Sequence, residues 1–265
     1  MSTPTTSDCL IENAKKYADE SALSSKNSSG DWDTTTWSEF YSQTMDVAKS
    51  LTALGFQKND KLSIYSYNRK EWYIAYAAAN FCNGAGVGVY HTCSPEEVEW
   101  VVGNSDSKFV FVGHNPMDGG DTEKMCSHRL HKIMDKLDKV EKVVVMDGVD
   151  MPSHDKLISW SDFISEGKDT EESKIHNSIK SIKPEDTATL IYTSGTTGNP
   201  KGVELTYDNF EYEISKVLEI QSYNQGDKYV SWLPCAHVFG QLVDNHAWIR
   251  EGLHMHVVDN PLHAI

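Results

Sequence analysis

Positive charge is scarce in this sequence: 24 Lys and Arg stand against 39 Asp and Glu among 265 residues, a formal net charge of -15. Nucleic acid or an anionic membrane as the main partner is thereby disfavoured, since both are held by neutralising phosphates. Cysteine is sparse as well. Cys9, Cys82, Cys93, Cys126 and Cys235 are odd in number and widely spaced. They form neither a CxxC pair nor a disulfide framework, which makes a reducing interior the simplest compartment. The opening residues, MSTPTTSDC, have neither the basic flank nor the apolar core of a signal peptide. Long apolar runs are missing too. The nearest approach, Trp72 to Tyr90, is broken by Asn80, Asn83 and three glycines and reads as a buried helix, a loop and a strand rather than a bilayer span. With 39% hydrophobic and 10% aromatic content, the chain is globular and long enough for one large or two ordinary domains.

Helical and strand patterns alternate along the chain. Asp8 is placed to cap a short helix carrying Leu10, Ile11, Ala14 and Tyr17 on one face, and Ser24 to Asp31 reads as a polar turn. Thr36 with Glu39 makes a capping-box pattern before an amphipathic helix that Gly55 closes. Leu62 to Tyr67 alternates as a strand, Glu71 to Phe81 as a helix, and the glycines at 84, 86 and 88 lead into a further strand before the helix opened by Ser94 and Pro95. Phe109 to Val112 and Val143 to Met146 are short continuous apolar runs suited to strands buried on both faces. A helix is predicted from Thr122 to Leu137, and the polar stretch 165–186 reads as a linker between two halves of a core. The alternation predicts a parallel, doubly wound α/β fold.

Histidines give no metal site. His128 and His131 have helical spacing but no Glu or Cys completes a ligand set, and His254 with His256 shares a strand face without an acidic neighbour.

The most informative stretch is IYTSGTTGNPKG, Ile191 to Gly202. An apolar β-branched run empties into small hydroxyl and glycine residues and then into Pro200 and Lys201. Small side chains allow backbone N–H groups to reach an anion, the hydroxyls of Ser194, Thr196 and Thr197 add donors, and Lys201 brings a mobile point charge. A glycine-rich surface turn that binds nothing has the same composition. Standard nucleotide fingerprints do not fit. A Walker loop would need Gly-Lys-Ser/Thr where Pro200 stands, and Gly84, Gly86 and Gly88 lack the spacing of a dinucleotide fold. Beyond the loop, Thr206 to Ile220 is predicted as a helix with Phe210, Ile214, Val217 and Leu218 inward, followed by a strand at Tyr229 to Trp232 and by the string LPCAHVFGQ, Leu233 to Gln241.

Both strings, in this order, resemble those of the adenylate-forming superfamily, whose members include acyl-CoA synthetases, luciferases and amino-acid adenylation domains. TWSEF near Thr36, Asn68 through Glu71 and Trp72, Gly88 to Tyr90, Ser94 to Glu96, and Leu157, Ser159, Trp160 and Phe163 are similar to long-chain acyl-CoA synthetases, most of all the bubblegum type. The resemblance implies that Thr193, Ser194, Gly195, Thr196, Thr197, Gly198 and Lys201 hold the β- and γ-phosphates of ATP, with Thr196 also meeting magnesium. It implies that His237, Phe239 and Gln241 face one cavity at the carboxylate end of the acyl pocket. The implied activity is ATP-dependent activation of a fatty acid to an acyl-adenylate and then, with CoA, to acyl-CoA. Adenylation of an aryl or amino acid remains open, as does a non-catalytic nucleotide-binding remnant. A cytoplasmic setting is expected, with peripheral association on an intracellular membrane such as the endoplasmic reticulum through the acyl substrate.

Members of the family carry later strings that hold the adenine, the ribose and magnesium, and a small C-terminal domain with a catalytic lysine. None of these strings occurs here, so the chain is expected to be the N-terminal part of the adenylation domain, truncated at Ile265, with the catalytic residues unassigned. The sheet containing the phosphate-loop strand is expected to run on to Val258.

Overall fold

Local hydrogen bonding settles where the first helix begins in the computed structural model, which describes residues 4–27, 29–113, 121–193 and 198–258. Helix α1 (Thr6–Lys16) starts on Thr5, whose side chain accepts from the Asp8 backbone while the Asp8 carboxylate returns to Thr5. Asp8 is therefore the third helical residue of a capping box, and Thr5 is the cap. The expected polar turn begins after Ser24–Lys26, which end a strand: β1 (Ser21–Lys26) pairs antiparallel with β2 (Trp32–Thr36), and between them the Gly30 N–H donates to the Asn27 carbonyl at 2.9 Å. Ser and Thr side chains bond across the pair, Ser24 to Thr34 at 2.7 Å, so a polar strand is satisfied once its partner is present.

Thr36 and Glu39 form the expected capping box of α2 (Trp37–Ala53), and Gly55 follows it with φ at 85°. Then come β3 (Lys61–Tyr65), α3 (Lys70–Phe81), β4 (Ala85–Val89), α4 (Pro95–Asn104) and β5 (Ser107–Val112), close to their sequence-predicted positions. The helix expected from Thr122 to Leu137 is much shorter. Only Cys126–His131 is α-helical (α5), and Met134–Lys136 tightens into a 3-10 turn that keeps Ile133, Met134 and Leu137 inward.

The chain continues through β6 (Lys142–Val145), β7 (Leu157–Ser159), α6 (Trp160–Glu166) and α7 (Glu172–Lys180). Helix α7 occupies the stretch expected as a linker, and its Ile175 and Ile179, one turn apart, are buried in the core. Strand β8 (Thr187–Thr193) is followed by β9 (Lys201–Thr206) and α8 (Tyr207–Ile220). In α8, Phe210 and Ile214 are buried, whereas Val217 is exposed instead of facing inward. Strand β10 (Lys228–Ser231), the short α9 (Val238–Gln241), a π-helical turn at Leu242–Ala247, α10 (Trp248–Glu251) and β11 (His254–Val257) complete the described chain.

Seven strands form one sheet in the order β7-β6-β5-β3-β4-β8-β9, parallel throughout except for β9, which runs antiparallel on the edge. The doubly wound expectation holds for this sheet. Four further strands form a second sheet, β10-β11-β1-β2. Strand β11 thus lies between β10 and β1, and does not extend the sheet that contains β8, because its parallel partners are Leu23–Ser25 and Lys228–Ser231. One apolar cluster joins the two sheets through α2 and α3, running from Leu23 and Met255 across Phe40 and Trp72 to Ile64 and Phe111. Each such buried side chain contributes about 1.5–3 kcal/mol. Trp248 stacks on Trp37 with centroids 5.2 Å apart and donates its indole N–H to the carbonyls of Ala22 and Leu253, both at 3.0 Å. A second cluster, with Val98 and Val101 of α4 and Leu130 of α5, covers the other face of the large sheet.

Candidate active site

The glycine-rich string begins and ends in the paired strands of a β-hairpin. Tyr192 pairs with Gly202 and Thr193 with Lys201 across β8 and β9, so the chain returns along the sheet before Thr206 caps α8. Strand β9 left no trace in the hydrophobic pattern, since its first four residues are exposed. Ser194, Gly195, Thr196 and Thr197 lie outside the described residues. Of the flanking positions, Thr193 is exposed at the end of β8, Lys201 is exposed at the start of β9, and Gly198 adopts φ of 92°, which glycine reaches without steric cost.

Both stems of this hairpin are tied to α4. The Trp100 indole N–H donates to the Pro200 carbonyl at 2.8 Å, and the Tyr192 hydroxyl donates to Asn104 Oδ1 at 2.7 Å. Burial pushes the Tyr192 hydroxyl up to about 12, so it stays a donor well into the alkaline range. The Tyr192 ring lies over its cross-strand partner, where a Cβ on Gly202 would come within 2.9 Å of it.

Strand β8 runs parallel to β4, with Val87 opposite Leu190, so the two strands end on the same edge of the sheet. That edge also receives the second string. Asn68, just past β3, donates to the Leu233 carbonyl at 2.7 Å and accepts from the Cys235 N–H at 3.0 Å. Ala236 packs on Gly88 of β4 so closely that a Cβ there would sit 2.6 Å from its Cα. Carboxyl ends of parallel strands are where open α/β sheets bind ligands. The sequence tied Asn68 and Gly88 to a site only through a resemblance; their contacts to Leu233–Ala236 depend on the fold.

His237, Phe239 and Gln241, expected to face one cavity, differ in exposure. The segment turns helical here, so His237 and Gln241, four residues apart and joined by a bond from the Gln241 N–H to the His237 carbonyl at 3.0 Å, lie on one side while Phe239 between them is rotated by about 200°. His237 caps α9, its Nδ1 accepting from the Phe239 N–H at 3.2 Å, and it is exposed. Phe239 is 54% exposed. Gln241 is fully buried beside Gly88, and among the described residues neither its amide nitrogen nor its amide oxygen has a hydrogen-bond partner.

After Gln241 the π-helical turn buries Asp244, Asn245 and His246. Ser231 donates to the Asp244 carboxylate at 2.6 Å, and burial raises that carboxyl to about 7 against the opposing effect of the Ser231 and Tyr229 hydroxyls. A chain of short contacts continues from Ser231 to the Tyr73 hydroxyl at 2.8 Å and on to the Cys235 thiol at 3.1 Å. His246 stands between Thr6 and Tyr76, at 2.6 and 2.9 Å, and burial lowers it to about 3, so it is neutral.

Among the described residues, no three His, Cys, Asp or Glu side chains come together to hold a metal. His254 and His256 share a face with ring centroids 4.3 Å apart, without an acid between them. The magnesium expectation rests on Thr196, which is outside the described residues.

A sequence profile of the AMP-binding enzyme family matches residues 10–264. The chain belongs to that family. Among curated AMP-binding relatives, it is 31% identical over 238 residues to the long-chain-fatty-acid–CoA ligase ACSBG2 of Xenopus laevis, covering 88% of this chain and 31% of the relative. It is 33% identical over 246 residues to the ACSBG2 ligase of Mus musculus, covering 90% and 35%. The chain thus spans about a third of the length of these ligases. Its fold is that of solved AMP-binding enzymes. A putative long-chain-fatty-acid CoA ligase from Rhodopseudomonas palustris superposes with a TM-score of 0.75 at 18% identity, over 96% of this chain and 57% of the other. The o-succinylbenzoate CoA synthetase of Bacillus subtilis, solved with its acyl-adenylate intermediate, gives 0.71 at 20% identity, over 97% and 44%.

Proposed function

We propose that this chain supplies the phosphate hairpin and part of the acyl pocket of an ATP-dependent long-chain fatty acid–CoA ligase. The observation that carries the reading is the meeting of two strings at one sheet edge: β8 ends there at Thr193, and Ala236 and Gln241 of the second string pack on Gly88 of the adjacent β4. The fatty acid as substrate class is supported by the ACSBG2 relatives above.

In this reading the carboxylate attacks the α-phosphorus of ATP and pyrophosphate leaves, giving the acyl-adenylate; the CoA thiol then attacks the acyl carbon and AMP departs. Negative charge grows on the bridging oxygen as the phosphate bond breaks. A preorganised set of donors around Thr193–Gly198, with the Lys201 ammonium alongside, stabilises that charge more than it stabilises bound ATP, which is what lowers a barrier. Buried Gln241 supplies an unpaired amide near the same edge, suited to orienting a carboxylate. Peripheral contact with a membrane through the acyl substrate is part of the same proposal, as is a cytoplasmic setting; among the described residues no helix is long and apolar enough to cross a bilayer.

The test is ATP–pyrophosphate exchange with palmitate and magnesium, on residues 1–265 and on a chain completed to the length of its relatives. The completed chain is expected to exchange, residues 1–265 to stay near background, and Lys201→Ala to slow the completed chain roughly ten- to a hundredfold, the worth of one charge-assisted hydrogen bond. Full activity in Lys201→Ala would remove the hairpin from the chemistry.

A further inference from the structure

Helix α4 presents two different kinds of residue. Val98, Val101 and Val102 are buried against the sheet and account for its packing. Trp100 is 38% exposed and Asn104 is exposed, so neither is a core residue, yet both make short hydrogen bonds. They stand four residues apart, one helical turn, and so project from the same side of α4. Trp100 takes the carbonyl of Pro200, immediately before β9, while Asn104 takes the hydroxyl of Tyr192 near the end of β8. One turn of helix thus grips both stems of the hairpin, one bond to each strand.

We propose that α4 is a clasp for the hairpin and that Trp100 and Asn104 are positioning residues for the phosphates. The proposal rests on the reading of the hairpin as a triphosphate-binding element. Strand β9 lies on the sheet edge, paired on one side only, so β8 alone would leave it free to shear or fray. Pro200 has a fixed φ, and the Tyr192 ring lies over Gly202, where a Cβ would come within 2.9 Å of it, so one gripped group sits on a restricted backbone and the other is packed on the opposite strand. Donors held still before the reaction need no reorganisation during it, which is how residues that never touch ATP affect its use.

Hydrogen exchange on the 265-residue chain, without nucleotide, tests the clasp. Trp100→Phe keeps the ring and deletes only the donor. It is expected to speed exchange at 198–203 roughly three- to tenfold, the population change from losing one neutral hydrogen bond. Tyr192→Phe and Asn104→Ala are expected to do the same at 190–193, and the double variant to add nothing further, because each breaks one shared bond. Should Asn104→Ala fail to fold, Tyr192→Phe reads the same bond. Exchange rates unchanged in Trp100→Phe and Tyr192→Phe would overturn the proposal. On a completed chain, Trp100→Phe is expected to raise the KM for ATP roughly threefold or more while leaving that for palmitate unmoved. An equal rise for both substrates would overturn the positioning role. Because the exchange arm uses no nucleotide, its result stands apart from whether the hairpin binds ATP.

Discussion

Replacing Asp244 by Asn is expected to make the folded chain more stable at alkaline pH and no more stable in acid. The side chain is 4% exposed and accepts from Ser231 at 2.6 Å. Burial lifts its carboxyl from the ordinary 3.8 to about 7. Between these values the folded state holds a proton that the unfolded state has released, so stability falls as pH rises through this window, and the loss is complete above it. At 1.36 kcal/mol for each tenfold change in acidity, the rise from 3.8 to about 7 costs about 4 kcal/mol at pH 8. Asn keeps an oxygen for Ser231 and has no proton to lose. His246 acts in the opposite sense: lowered from 6.5 to about 3, it makes the folded state gain stability as pH rises through that range. Both proteins carry His246, so the difference between them isolates Asp244. Urea unfolding of each from pH 4 to 8.5 should give a difference near zero at the acid end that grows to about 2–4 kcal/mol in favour of Asp244→Asn, allowing for a weaker bond to Ser231. A difference independent of pH, or one favouring Asp at pH 8, would refute the argument that this carboxyl is held in a low-dielectric site.

Gln241→Met removes an amide that is buried without a partner; the free chain is expected to gain about 1 kcal/mol by chemical unfolding, while a completed chain shows a raised KM for the acid and an unmoved KM for ATP. Trp248→Phe preserves much of the ring packing but orphans the carbonyls of Ala22 and Leu253, and should lower unfolding free energy by about 1–3 kcal/mol in urea titration. Gly88→Ala drives a methyl within 2.6 Å of the Ala236 Cα; a loss of about 1–3 kcal/mol is expected, read as a lower thermal midpoint, and an unchanged midpoint would mean that Leu233–Gln241 does not pack on β4.

Much of this protein was decided within a few residues of itself. The capping boxes at Thr36, Ser94 and Thr206 each close between a residue and its third neighbour, so composition alone places those helix starts. The buried runs Phe109–Val112 and Thr189–Tyr192 suit central strands of a covered sheet, and the Gly-Thr-rich string after the second carries enough local chemistry to mark it as a candidate site. Other features were fixed only by partners remote in sequence. Strand β9 is too exposed to announce itself and exists because β8 offers it a ladder. The hairpin of β1 and β2 is polar and is satisfied by cross-strand hydroxyls and by β11 from the other end of the chain. A helical turn rotated Phe239 away from His237 and Gln241, where an extended segment would have aligned all three. Asp244 and His246 look like surface residues of a polar helix until Ser231, Tyr76 and Thr6, each well removed in sequence, supply the contacts that let them be buried. Short-range hydrogen bonds are set by spacing, which a sequence displays; burial and pairing are set by which distant segments arrive together, and only the folded chain brings them there.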